Sequence, residues 1–421
     1  VLCITGNIQS HNIGRGRGIL HELPDQLATL RGLTKWAERI NHPTEAAAVM
    51  GEAFKQLSTG RIRPVAIETP WDVFGARALV DLEVPMEVPP PPAPDPDAIA
   101  RAVALLQKAK NPMITVGGGA IEAGAEVLEL ATLLQAPVTS HRSGRGIVGE
   151  DTPYGFSCGA GYKPWLATDV LVGIGSRLEL QYLRWMKIPD GVKVIRIDID
   201  PTEMFRLKPD VGIVTDATLG ARALLDALSA GLAKRPSREE EFKTLKAQFR
   251  HDIQRVQPQM GYLDAIREVL PRDGFFVEEI SQVGFASRFG FPVYQPRTFV
   301  TGGYQDNVGF GFMTALGVKI ANPGKPVISV TGDGGFMFGV QELATAVKYN
   351  INLVTIVFNN ASYGNVLRDQ RNVYQGREIG SSLTNPDFVK LAESFGAAGY
   401  LVKTPALLKA ALERAFAQAG P

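Results

Sequence analysis

The sequence predicts an α/β protein of three doubly wound parallel-sheet domains, the first incomplete at its N-terminus. Three observations predict it. Short β-branched runs end in Gly, Asp or Asn and lead into amphipathic helices, the pattern of parallel strands covered on both faces. Two compositional breaks cut the 421 residues into parts of domain size. The chain also opens directly in the strand-like "VLCITG", with no initiator methionine and no leader, so a further segment is expected ahead of Val1.

The elements follow in order. Residues 1–81 hold the strands "VLCITG" and "RPVAIETP". Residues 82–98, "LEVPMEVPPPPAPDPDA", are too rich in proline for a helix or a central strand and read as an extended linker. Residues 99–232 hold "NPMITVGGG", "DVLVGIGS" and "VKVIRIDID". The charged stretch 233–256 reads as a helical connector. Residues 257–421 hold "FVTGG", "KPVISVTGDG" and "INLVTIVFNN". Open sheets of this kind bind ligands just beyond the carboxyl ends of their strands.

Composition narrows the function. Hydrophobic content of 45% and charged content of 21% are those of a soluble globular protein. A net charge of +1 gives no field to gather nucleic acid or an anionic membrane, and no apolar run approaches the roughly 20 residues of a bilayer span. The two cysteines, Cys3 and Cys158, lie far apart. They form neither a disulfide framework nor a metal cluster, which fits a reducing, cytoplasmic setting.

The chemistry concentrates in "GDGGFMFGVQELATAVKYNINLVTIVFNN", Gly332 to Asn360. "KPVISV" is a buried strand and "TGDGG" its exit. Val340, Leu343, Ala344 and Val347 then recur at the spacing of one helix face, and "INLVTIVF" is the next strand. A βαβ unit makes the strands parallel, so Asp333 and Asn360 meet at one edge. A carboxylate oxygen and an amide oxygen suit Mg²⁺, which completes an octahedron with water and phosphate oxygens. Gly332, Gly334 and Gly335 let the backbone come close, and a helix start offers N–H groups to an anion. Asp-Gly is by itself usually a turn; the strand–helix–strand frame is what turns the reading to a metal–diphosphate clamp.

This stretch resembles the thiamine-diphosphate signature of the acetolactate synthase and pyruvate decarboxylase superfamily. The resemblance runs over essentially the whole chain. It is strongest across 278–399 and clear in "GLTKWAERI" and "RPVAIETPWDV". It implies a pyrimidine-binding domain (1–81), a central domain (99–232) and a diphosphate-binding domain (257–421). It implies Mg²⁺ ligation by Asp333, Asn360 and the Ser362 carbonyl. Backbone N–H groups of Gly334 and Gly335 would face the diphosphate, with Gln282 and Val283 of "EEISQVG" approaching from the other side. Val308, in "TGGYQDNVGFGF", falls where the family places an apolar wedge under the cofactor, and a branched side chain is stiff enough for it. Tyr363, Asn365 and Arg368 fall in the region that faces substrate. His21, in "ILHELPDQ", stands where synthases usually carry glutamine and could shuttle protons. The family's catalytic glutamate has no counterpart here: none of Glu22, Glu38, Glu45 or Glu52 matches its context.

In the central domain, "TVGGGAIEAGAE" follows a strand and opens a helix as a nucleotide-binding turn does. The resemblance there extends to relatives that hold FAD or ADP. Asp198 and Asp200 could contact a ribose, Arg177 a phosphate, and Gly144, Arg145 and Gly146 sit where a flavin-contacting loop would lie. The flavin-bearing members' motif is not matched by "YGFSCGAGYKP", so an empty structural domain is favoured over FAD or ADP. The leading expectation is a thiamine-diphosphate- and Mg²⁺-dependent 2-oxo acid decarboxylase or carboligase, assembled as a homodimer or homotetramer. The alternatives are a 2-hydroxyacyl-CoA or oxalyl-CoA lyase, and a cofactor-binding module without turnover. A dehydrogenase binding nicotinamide at Gly117–Gly119 is the last rival.

Overall fold

Runs rich in Val and Ile alternate with helices along the chain, and every strand pairing that results is parallel. The computed structural model describes residues 1–82 and 86–421. Their contacts separate into two compact units, Val1–Ala93 with Ile199–Thr202, and Pro94–Asp198 with Glu203–Pro421.

In the first unit, β1 (Leu2–Asn7), β2 (Trp36–Arg39) and β3 (Val65–Pro70) form a sheet in the order β1-β3-β2. The whole of β3 is buried, including the Glu68 carboxylate, which pairs with Arg39 and accepts a hydrogen bond from Gln26 at 2.9 Å. Of the linker expected at 82–98, residues 83–85 lie outside the described residues. Residues 86–95 form neither helix nor strand, and Pro96 opens the helix Pro96–Lys108.

The second unit holds two sheets. One comprises β4 (Pro112–Val116), β5 (Val138–Ser140), β6 (Gly155–Phe156), β7 (Val170–Ile174), β8 (Lys193–Asp198) and β9 (Val211–Val214), ordered β6-β5-β4-β7-β8-β9. Strand alternation sends Ile114, Val172 and Ile195 into one core and Met113, Leu171 and Val194 into another. The charged stretch 233–256 contains the helix Glu239–Ile253. Its Phe242 is buried in the first of these cores, edge-on to Tyr154 and Phe156 at 6.0 and 5.5 Å.

The other sheet comprises β10 (Phe275–Glu278), β11 (Phe299–Val300), β12 (Val327–Gly332) and β13 (Val354–Phe358), ordered β11-β10-β12-β13. Phe276, Ile328 and Val330 pack on Met260, Leu263 and Leu408; Val277 and Val327 pack on Phe312, Leu316 and Leu343. Each such side chain contributes about 1.5–3 kcal/mol by leaving water, which is why both faces of the sheet carry helices. The segment after β12 departs from expectation. It is not one helix but three short pieces, Asp333–Phe336, Val340–Glu342 and Leu343–Lys348. Leu343 and Ala346 are buried, whereas Ala344, expected on the inner face, is exposed. The change from 3₁₀ winding at Val340–Glu342 to α winding at Leu343–Lys348 shifts the phase within that stretch. Among the described residues, no helix is long and apolar enough to cross a membrane.

Candidate functional site

Strand order in the last sheet reverses between β10 and β12, and a cavity of about 360 Å³ opens at their carboxyl ends. Three strand exits line it: Ile280–Gln282 after β10, Gly332–Gly335 after β12, and Asn359–Tyr363 after β13. The β12 and β13 tips are adjacent because Gly332 pairs with Phe358, the last registered couple. Asp333 and Asn360 therefore face one space.

Asp333 is only 2% exposed and has no ion-pair partner among the described residues. Its Oδ2 accepts a hydrogen bond from Asn385 Nδ2 at 2.7 Å, and the same nitrogen donates to Asn359 Oδ1 at 2.8 Å. Asn360 Oδ1 accepts the Ser362 N–H at 3.3 Å, which curls the loop back on itself; Ala361 takes a left-handed φ of 53° to do so. Ser362 bridges Ser382 in antiparallel fashion through its neighbours: Tyr363 N–H donates to the Ser381 carbonyl and Leu383 N–H to the Ala361 carbonyl. That pairing leaves the carbonyl of Ser362 itself directed away from the bridge. Among the described residues no group of three His, Cys, Asp or Glu side chains could hold a metal. An ion at these tips would rest on one carboxylate, one amide oxygen and one carbonyl. Such hard, weakly charged donors fit Mg²⁺ completed by phosphate and water oxygens.

The glycines make a cradle. A Cβ at Gly335 would stand 1.7 Å from Glu279 Oε1, and one at Gly334 would stand 2.4 Å from the Tyr363 ring. Across the cavity, Ser281 caps the helix Gln282–Gly290 by accepting the Gly284 N–H at 3.0 Å, while the N–H groups of Gln282 and Val283 have no acceptor within the helix. These donors converge on a place for an anion. Val308 lines the same cavity and is 43% exposed. Tyr363 and Asn365 also line it, and Asn365 Oδ1 is buried without a partner. Arg368 does not: it is exposed and paired with Asp369 at 3.0 Å, a departure from its expected place facing substrate. His21 belongs to the first unit, exposed, with a left-handed φ of 71°.

The central-domain candidates are otherwise engaged. Gly117 and Gly119 are required by close backbone passage, since Cβ atoms there would stand 2.3 and 2.9 Å from Gly175 backbone atoms. Their N–H groups donate to the Ile174 and Gly175 carbonyls, so the turn does not present them to a phosphate. A Cβ at Gly144 would meet the Val116 carbonyl, and one at Gly146 the Gln295 carbonyl. Arg145, expected beside a flavin, is buried, pairs with Glu150 at 2.6 Å and donates to the Ser287 and Phe291 carbonyls. Arg177 pairs with Glu203 at 3.1 Å. Asp200 pairs with Arg63 at 3.4 Å within the first unit, and Asp198 ends β8. His141, after β5, is half-buried, and desolvation, opposed by Glu179 and reinforced by Arg142, Arg145 and Arg288, lowers its imidazole from 6.5 to about 3.

Three groups were not found by sequence reading. Glu278 and Glu279 end the apolar run of β10, where consecutive acids suggest a solvated tip, yet both are buried. Burial pushes Glu278 up, against the opposing charge of Arg288 at 3.0 Å. Asn385 sits in "LTNPDF", which reads as a turn. The doubled acid at a strand end was the one available signal.

Residues 279–421 match the family described as thiamine pyrophosphate enzyme, C-terminal TPP binding domain, and residues 99–228 match the thiamine pyrophosphate enzyme central domain. The chain is 32% identical over 451 residues to a probable acetolactate synthase large subunit of Methanocaldococcus jannaschii, covering 99% of this chain and 74% of that one. It is 28% identical over 430 residues to a probable 2-ketoarginine decarboxylase of Pseudomonas aeruginosa, covering 100% and 76%. A solved thiamine diphosphate-dependent 4-hydroxybenzoylformate decarboxylase of Rhodococcus jostii shares the fold, with a TM-score of 0.80 at 20% identity over 100% of this chain and 80% of that one.

Proposed function

The chain belongs to the thiamine pyrophosphate enzymes of the acetolactate synthase, decarboxylase and carboligase type, and from that premise we propose that it decarboxylates a small 2-oxo acid, with Mg²⁺ as the second cofactor. The observation that carries the reading is the meeting of Asp333, Asn360 and the Gly332–Gly335 turn around one cavity. Asp333, Asn360 and the Ser362 carbonyl would hold Mg²⁺. The N–H groups of Gly334, Gly335, Gln282 and Val283 would receive the diphosphate, and Val308 would support the rings. Bound there, thiamine diphosphate supplies the carbon nucleophile and the electron sink that carboxylate loss needs.

The chain's own groups orient and enclose. Tyr363 closes one wall over Gly334, and the unpartnered Asn365 oxygen offers an acceptor to a donor on the bound ligand. Phe285 and Phe358 line the rest with apolar surface that excludes water. For His21 the support is the resemblance alone, as it is for a homodimeric or homotetrameric assembly in the cytoplasm. The names of the relatives above support a 2-oxo acid as substrate and leave both protonation and addition to a second carbonyl as fates of the product.

A screen of 2-oxo acids tests the proposal, with carbon dioxide release measured with and without an acceptor aldehyde. Release that requires both Mg²⁺ and thiamine diphosphate is expected. Failure to bind thiamine diphosphate in the presence of Mg²⁺ would overturn it.

A further inference from the structure

Val308 reaches the cavity on the segment Thr301–Gly311, and both flanks of that segment are tied to two consecutive buried carboxylates. Glu278 is the last residue of β10 and Glu279 the next, so the two side chains leave on opposite sides of the sheet. On one side Glu278 pairs with Arg288 at 3.0 Å and accepts a hydrogen bond from the Thr301 hydroxyl. Arg288 also donates to both oxygens of Asp306, at 2.8 and 2.5 Å, two residues before Val308. Arg142 donates to the Gly303 carbonyl and lies 3.8 Å from Asp306; its guanidinium covers the Tyr304 ring at 5.2 Å, as that of Arg177 does at 5.5 Å.

On the other side Glu279 accepts the N–H of Gly309 at 2.7 Å, the N–H of Gly311 at 2.8 Å and the Thr331 hydroxyl at 2.8 Å. Gly309 directly follows Val308. The same carboxylate lies against Gly335, where a Cβ would stand 1.7 Å from Oε1. One side chain thus touches the backbone that carries Val308 and the turn that carries Asp333. The segment needs such ties. Gly303, Asp306 and Gly309 all have left-handed φ, at 65°, 52° and 90°, and Asp306 holds its value without the freedom of glycine.

We propose that Glu278 and Glu279 are positioning residues for Val308, the first acting through Arg288 and Asp306, the second through the Gly309 N–H. Together they set its distance from the Asp333 turn. The inference rests on the thiamine diphosphate reading, in which Val308 supports the cofactor rings.

Calorimetric titration of thiamine diphosphate with Mg²⁺ into the full chain tests it through two double-mutant cycles, Val308→Ala with Asp306→Asn and Val308→Ala with Glu279→Gln. Each single change is expected to weaken binding by about tenfold. If the carboxylates act through Val308, each double variant should bind close to the weaker of its two singles. Losses that multiply, to about a hundredfold, would overturn the inference while leaving the cofactor assignment intact. No binding by the unaltered chain would remove both. Should Glu279→Gln fail to fold, Thr331→Val, which removes one of the three donors that orient Glu279, takes its place in the second cycle and is read by the same criterion.

Discussion

Asn385 holds Asp333. Its amide nitrogen donates to the buried carboxylate at 2.7 Å and to Asn359 at 2.8 Å, so the two strand tips are laced together from outside the βαβ unit that presents them. A carboxylate oriented in this way would leave its other oxygen for the Mg²⁺ proposed at the tips. Asn385→Ala should weaken Mg²⁺-supported thiamine diphosphate binding by about 10–100-fold, the usual effect of removing a group that orients a ligand. Titration at fixed cofactor and varied Mg²⁺ measures it; unchanged Mg²⁺ dependence would remove Asn385 from the site.

Asp333 is a buried anion with no cation beside it among the described residues. Asp333→Ala should abolish cofactor binding, by a hundredfold or more, and leave the cofactor-free protein as stable or more so, because the fold no longer shelters an uncompensated charge. Thermal unfolding with and without cofactor separates the two effects. A large loss of stability in the cofactor-free variant would mean that Asp333 is structural.

The two cradle glycines should fail differently. Gly335→Ala drives a methyl group into the Glu279 carboxylate, which is itself held by three donors and has nowhere to go. A loss of about 1–3 kcal/mol or more in urea denaturation is expected. Gly334→Ala meets the ring of Tyr363, which can swing, so cofactor affinity should change more than stability.

Arg145→Met should cost about 3–5 kcal/mol, since it strands the Glu150 carboxylate and two main-chain carbonyls that the guanidinium satisfies. Denaturant midpoints read this directly, and a change under about 1 kcal/mol would show that water replaces the guanidinium at little cost.

His141 should make stability depend on pH. Folded, its imidazole stays neutral down to about 3 because burial disfavours the charge; unfolded, it takes a proton near 6.5. Between those values the unfolded chain binds the extra proton, so stability falls as pH falls, by up to about 1.4 kcal/mol per unit, and above 6.5 this group adds no slope. The variant His141→Gln should lose that part of the slope in urea titrations at pH 7, 6 and 5. Identical slopes would exonerate the histidine.

The fold class and the family were legible because long apolar strands announce themselves: "KPVISV" and "NPMITV" became central strands, and "INLVTIVF" the edge strand beside the first of them. β5 and β6 escaped because two or three residues carry no period, and β10 because paired glutamates mask its apolar start. Within the site, Asp333 and Asn360 were readable from spacing alone, since parallel strands must bring their tips together. Glu279 and Asn385 were not. Each works through contacts made across the chain, and no local pattern distinguishes a buried glutamate with three donors from a solvated one. Ala344 was misplaced for a different reason: Val340–Glu342 winds as a 3₁₀ turn before the α-helix begins at Leu343, and a 3.6-residue period assumes one continuous α-helix.

The pairing of Gly332 with Phe358 has a last implication. Side chains at both tips can share an ion only in that alignment, because slippage by a single position would turn Asp333 to the opposite face. Any cation captured there would therefore proofread the sheet, lending its binding energy to the native alignment and none to its neighbours.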